Sequence, residues 1–191
     1  MVKHHTCCCN YDLSKGNLME LLYIFALYFI VSALLYILMN VKCKKNPVFL
    51  MPKDKQLFYV LSFTWGFPAV FSGAIAALFI RVFGYKSTRY GWIWRFEIPN
   101  IDWGTSFGLF FVAPKGNEQI SMHEHGHAIQ NIYLGPFYPA VVWLPSVVRF
   151  WFRKIRLKNG KKPKKNYADI WFENSSDESG TFFMKRLNKT V

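Results

Sequence analysis

"EQISMHEHGHAIQNIY", residues 118–133, is the stretch on which the reading of this chain turns. Asn117 ahead of it has the side chain of a helix N-cap, and Glu118 suits the positive end of a helix dipole. Leu134-Gly135-Pro136 supplies a stop, so the spacing predicts a helix over 118–133. Three of the five histidines, His123, His125 and His127, fall inside it around Glu124. Positions four apart lie one turn above the other on one face, so His123 and His127 can both aim imidazole nitrogens at one ion. Glu124 is turned enough to miss that ion yet reach a water beside it. His125 is rotated by about 200° from His123 and is not a ligand. A histidine-rich polar helix without a metal is the plain alternative.

Catalytic zinc takes three protein ligands and leaves a fourth position for water, whose pKa it lowers to about 7. A carboxylate beside such a water can take its proton, which is the role Glu124 suits. The third ligand is found downstream, in "ENSSD", Glu173–Asp177. The segment Asn166–Gly180 starts with a capping residue and ends with a glycine, so it reads as a short helix. Glu173 and Asp177 then share a face: Glu173 completes the metal set, and Asp177 accepts the Nδ1 proton of a ligand histidine, fixing its tautomer. A solvated acidic cap would be written with the same letters. Acids are scarce, however, and these two motifs use three of the eleven in the chain.

Outward from the two motifs the chain is strongly apolar, with 52% hydrophobic residues and 19% aromatics in 191 residues, more than a soluble domain usually carries. Two runs hold the excess. Leu21–Met39 is 19 residues without a charge and nearly matches a bilayer core of roughly 30 Å, so it reads as a retained membrane helix. Leu57–Ile80 is 24 uncharged residues interrupted by Gly66 and Pro68, which reads as a kinked span whose freed carbonyl a neighbour satisfies. Net charge is +13. Eight basic residues crowd into "RKIRLKNGKKPKK", residues 153–165. On a chain with two spans their expected partner is the anionic lipid headgroup layer, and no nucleic acid is expected. Cys7, Cys8 and Cys9 are consecutive and Cys43 stands apart, which is no disulfide framework; the triplet reads as exposed thiols, with lipidation or a weak metal site with His4 and His5 as alternatives.

Between the apolar runs and the histidine helix, Tyr90–Ile98 and Thr105–Ala113 are rich in β formers and separated by the turn-prone "PNIDWG", so they read as a β-hairpin. Leu134–Val148 is apolar but short and carries Pro136, Pro139 and Pro145, which predicts a re-entrant or interfacial segment over 134–152. The expected fold is therefore an α+β membrane protein: an N-terminal cytoplasmic segment, 1–20, two transmembrane helices within 21–83, and a small zincin-like domain, 84–191, holding the hairpin and the HExxH helix.

Taken together, "HEHGH" and "ENSSD" resemble the HExxH and ExxSD or ExxAD pattern of the gluzincins, zinc metallopeptidases whose third ligand is glutamate. Two spans ahead of an HExGH helix, a further apolar segment and then ExxxD are most similar to their integral-membrane branch, which includes the CAAX prenyl endopeptidases and the bacterial membrane heat-shock proteases. The resemblance runs from Leu21 to Gly180. It departs from that branch in the short stretch between His127 and Glu173 and in the lack of an Arg just before the glutamate. It implies a membrane-anchored zinc peptidase with His123, His127 and Glu173 as ligands, Glu124 as base and Asp177 behind a ligand. It also implies that a peptide or protein substrate adds as a strand to the edge at Thr105–Ala113. Tyr133, Tyr167 and Arg149 are the candidate oxyanion donors. Two other functions fit the same residues: a membrane protein with a closed, non-catalytic metal site, and a membrane protein whose basic segment binds lipid or a partner. If His127 and Glu173 share one ion, both ends of 134–148 lie on one side of the membrane. The charge balance places that side in the cytoplasm.

Overall fold

The computed structural model describes residues 18–28, 30, 31, 34, 55–161 and 170–188. Among them the chain is α+β, with six α-helices and one small mixed sheet. The first half holds α1 (Leu18–Tyr28), α2 (Lys55–Phe63), α3 (Phe67–Val82), β1 (Ser87–Tyr90), β2 (Ile93–Ile98), β3 (Thr105–Phe107) and β4 (Phe110–Pro114). Then come α4 (Glu118–Leu134), α5 (Leu144–Lys158) and α6 (Trp171–Asn188). The cysteines, His4, His5 and Tyr167 lie outside the described residues, as do most of residues 29–39 and the lysines of 162–165.

The predicted single hairpin is two hairpins. Each apparent strand is cut by a glycine that opens a two-residue loop, Gly91-Trp92 and Gly108-Leu109, and both glycines hold positive φ, 57° and 60°. Such loops favour glycine because a Cβ opposes that backbone. β1–β2 and β3–β4 are antiparallel pairs, and the two hairpins join through β2 and β4 in parallel, giving the order β1-β2-β4-β3. The intervening "PNIDWG" reverses no strand; it carries the chain across, with Asn100 in the left-handed region at φ 60°.

The sheet packs on α2, α3 and α4, where Phe58, Val70, Ile93, Leu109, Phe111, Ala128 and Ile132 form one buried cluster. Arg95 on β2 pairs with Glu118 at 2.9 Å and fastens the start of α4 to the sheet. The run read as a kinked span is α2 and α3, bent by 88° at the break between them. The Gly66 carbonyl at this corner accepts from the Val70 N–H at 3.2 Å and from the Asn131 Nδ2 on α4 at 3.3 Å, which ties the corner to the histidine helix. By length and composition the bent pair is enough to cross a membrane; no single described helix is long and apolar enough. On α3 the small residues Ala69, Val70, Gly73 and Ala77 are buried, while Phe67, Phe71, Ile75, Leu78, Phe79 and Val82 are exposed.

The proline-broken stretch after α4 forms a 3-10 turn (Gly135–Phe137) and a π-helical turn (Pro139–Trp143), then passes into α5 with Pro145 in its first turn, where a missing N–H costs nothing. The second predicted helix runs past its expected end, from Trp171 to Asn188. Gly180 is no terminator here; it is where α6 crosses α4.

Candidate metal centre

The histidine helix forms as its sequence requires. The Asn117 side chain caps it by accepting from the Ile120 N–H at 3.0 Å, and Gly135 closes it. What the sequence does not suggest is its burial: every residue from Glu124 to Ile132 is buried, five of them polar. A buried polar side chain is costly without a partner, so each partner reveals what the helix is for.

Two glycines bring the metal-binding groups together. A Cβ on Gly126 would collide with the Ser176 carbonyl, and one on Gly180 would collide with the Met122 carbonyl, so α4 and α6 touch backbone to backbone. The Ser176 hydroxyl donates to the His123 carbonyl at 2.5 Å, locking the register. That register sets Glu173 and Asp177 against the two histidines. The Glu173 Oε2 lies 3.0 Å from the His123 Nε2 and 3.4 Å from the His127 Nε2. One ligand atom from each of His123, His127 and Glu173 lies within 4.8 Å of the others, a group that can hold a metal ion.

The outer contacts set the imidazole tautomers. The His123 Nδ1 sits 2.7 Å from the Asp177 carboxylate, as the ExxxD spacing predicts. The His127 Nδ1 sits 2.8 Å from the Gln130 Oε1. Gln130 is held in that sense because its Nε2 donates to the Phe172 carbonyl at 2.6 Å, leaving only its oxygen to face the ring. Both outer contacts favour the proton on Nδ1, so that each ring would present its Nε2 lone pair to a bound ion. Gln130 escaped the sequence reading, although its place one turn beyond His127 was visible.

The donor set fits a metal. Both Glu173 oxygens are buried with no good hydrogen-bond partner, and so is the Glu124 Oε2. Two imidazole nitrogens and a carboxylate oxygen, with His127 and Glu173 buried and His123 partly so, form a group that could hold a metal ion. Burial works against the Glu173 carboxylate, but the adjacent His123 and His127 rings outweigh it and hold the group below the usual carboxylate range. Burial likewise opposes charge on His123, yet Asp177 and Glu173 raise it to about 10 in the metal-free site. For Glu124 burial dominates and raises the carboxyl, with the two histidines pulling the other way.

A cleft of about 710 Å³ opens over His123, Glu124 and His127. β3 and the residues just before it form one wall, and α5 with the π-helical turn forms the other. Gly104 lies so close to Glu124 that a Cβ there would stand 2.5 Å from the Oε1. The expected substrate strand, Thr105–Ala113, is corrected to its first part: β3 is the edge strand on the side of the cleft, and β4 is an inner strand. Of the expected oxyanion donors, Tyr133 and Arg149 do not line the cleft. Tyr138 does; its hydroxyl donates to the Ser106 carbonyl at 3.3 Å. Burial first, then the Glu124 and Glu173 charges, raise that hydroxyl well above the ordinary tyrosine range, so it remains a donor. His125 points the other way, stacked on Phe183 at 4.2 Å between ring centroids.

No family model, no characterised protein and no solved structure matches this chain.

Proposed function

We propose that the chain is a membrane-anchored zinc metallopeptidase of gluzincin type, hydrolysing peptide bonds beside the bilayer. The observation that carries this reading is the convergence of His123, His127 and Glu173 with an unpartnered buried carboxylate, Glu124, on the floor of an open cleft. Zinc bound by the three ligands would supply Lewis acidity, lowering the pKa of water to about 7. The rest falls to the chain. Glu124, with its carboxyl raised by burial, is suited to accept a proton at Oε2 and to return it to a leaving amine. Asp177 and Gln130 hold the two imidazoles in one tautomer. Tyr138, on turning its O–H from the Ser106 carbonyl, would be a donor in the cleft for developing oxyanion charge, and β3, as an edge strand lining the cleft, is where an extended peptide would lie. The anchor would come from Leu21–Met39 and the bent α2–α3 pair, on which Phe67, Phe71, Ile75, Leu78, Phe79 and Val82 of α3 are exposed.

A closed structural metal site would use the same ligands but would have no use for Glu124. Detergent-purified protein is expected to hold about one zinc per chain, lost in His123→Ala and His127→Ala. Glu124→Gln is expected to keep the zinc and lose peptide cleavage. Undiminished cleavage by Glu124→Gln would remove the assigned base, and a wild-type protein without zinc would remove the whole reading.

A further inference from the structure

α5 has two working faces. Ser146, Val147, Phe150 and Arg153 line the cleft. Leu144, Val148, Phe152 and Ile155 repeat at helical spacing on another face and are each more than half exposed, at 51%, 59%, 59% and 56%. Trp151 belongs to both: it lines the cleft and is still 54% exposed. No residue of α5 is buried, and its sequence carries Arg149, Arg153, Lys154, Arg156 and Lys158 with no acid.

We infer that α5 seats in the headgroup layer of an anionic membrane, with Leu144, Val148, Phe152 and Ile155 in the acyl boundary. An apolar stripe with an aromatic at its edge, bordered by Lys and Arg and free of acids, is the composition of a helix lying in that layer. A second copy is a poor occupant, because pairing this helix with itself would juxtapose its own cations in a chain of net charge +13. The exposed apolar stripe of α3, Phe67 to Val82, gives the same molecule a second surface suited to lipid. With α5 seated, Trp151 makes the lip of the cleft continuous with the membrane surface. The seating itself does not depend on catalysis. Its consequence for the substrate does rest on the peptidase reading: the cleft would receive segments of membrane proteins lying at headgroup depth, in preference to free soluble peptides.

The test uses the full chain in a cysteine-free background, with a nitroxide on a cysteine at Val148, Phe152, Ile155 or Arg156. Each variant is placed in nanodiscs of phosphatidylcholine with or without phosphatidylglycerol. Collision of the label with oxygen is compared with collision with a water-soluble nickel chelate. With phosphatidylglycerol, the oxygen-to-nickel ratio is expected to be several-fold higher at 148, 152 and 155 than at 156, and the contrast is expected to shrink without it. The pair R156E/K158E, read from the label at 155, should lose the dependence on phosphatidylglycerol. Equal ratios at all four positions in both lipids would place the helix in water and overturn the inference. Shielding of 148 and 155 from both reagents would overturn it in favour of a protein partner or second copy. Zinc content of the same samples reports separately on the metal reading, so either idea can fail alone.

Discussion

His125 and His127 are two positions apart on one helix and have opposite chemistry. The ring of His127 is held by Gln130 and faces the ligand group. His125 is fully buried beside Tyr90 and Phe183, and neither of its ring nitrogens reaches a good partner. Burial pushes its pKa from 6.5 down to about 3, against a small pull from its own backbone. The folded chain thus keeps this imidazole neutral, while the unfolded chain takes up a proton below about 6.5. Its contribution to stability is complete above that pH and declines as pH falls towards about 3, by up to about 1.4 kcal/mol per pH unit. His123 stays charged in the folded metal-free protein throughout and is common to both chains, so its unfolded-state titration near 6.5 cancels in a comparison with His125→Leu. Denaturant titrations of metal-free protein from about pH 7 to about pH 4.5 should therefore be steeper in pH for wild type than for His125→Leu, by about one proton. Parallel curves would contradict the neutral buried ring. The opposite directions of His123 and His125 were legible from helix periodicity alone. The partner of His127 was not, because the orientation of Gln130 is decided by a carbonyl 42 residues away.

The crossing of α4 and α6 is the element on which the ligand set depends. Gly126 and Gly180 remove the side chains that would otherwise hold the helices apart, and Ser176 adds the hydrogen bond that fixes their register. Gly180→Ala is expected to cost about 1–3 kcal/mol or more, since the clash is with backbone and neither helix can yield locally. It should also weaken zinc binding markedly, because Glu173 moves with α6. Circular dichroism of unchanged helix content together with lost zinc would show this outcome; full zinc affinity in Gly180→Ala would refute the backbone contact. Here the sequence misleads in a defined way. A glycine after a polar helical segment reads as an end, since glycine commonly terminates helices, and only the presence of Met122 on its far side makes it a crossing. The hairpins show the converse. Gly91 and Gly108 sat inside stretches read as continuous strands, and each opened a turn that local pattern could have announced.

Across the whole molecule, the ligands constrain topology. His127 precedes the 134–148 segment and Glu173 follows it, yet the two lie 3.4 Å apart, and the chain between them turns through short helices and lines the cleft with α5. Single cysteines at Asn117 and Lys161 in a cysteine-free background should be equally accessible to thiol reagents that cannot cross the membrane, both reporting the cytoplasm. Opposite accessibility would separate Glu173 from the histidines and end its assignment as a ligand. At this scale sequence reached the α+β class, the ends of α4 and the grouping of His123, His127 and Glu173, because capping, periodicity and motif spacing act over one or two turns. It missed the parallel joining of the hairpins, α5 as a helix and the place of Tyr138 in the cleft. Those depend on partners far along the chain, as with the Ser106 carbonyl that receives the Tyr138 hydroxyl.

The burial of α4 also bears on how the chain folds. A helix with polar side chains on so many sides gains little from early collapse. Asn131 finds its acceptor in Gly66, 65 residues earlier, and His123 finds its register through Ser176, 53 residues later. Closing loops of that length is a slow step relative to forming the hairpins, so α4 is expected to dock late, after the corner of α2 and α3 and near the arrival of α6. A nascent chain released early would then hold no assembled ligand group. On the peptidase reading proposed above, acquisition of the metal would mark completion of folding, and a half-folded chain would be inert towards its neighbours.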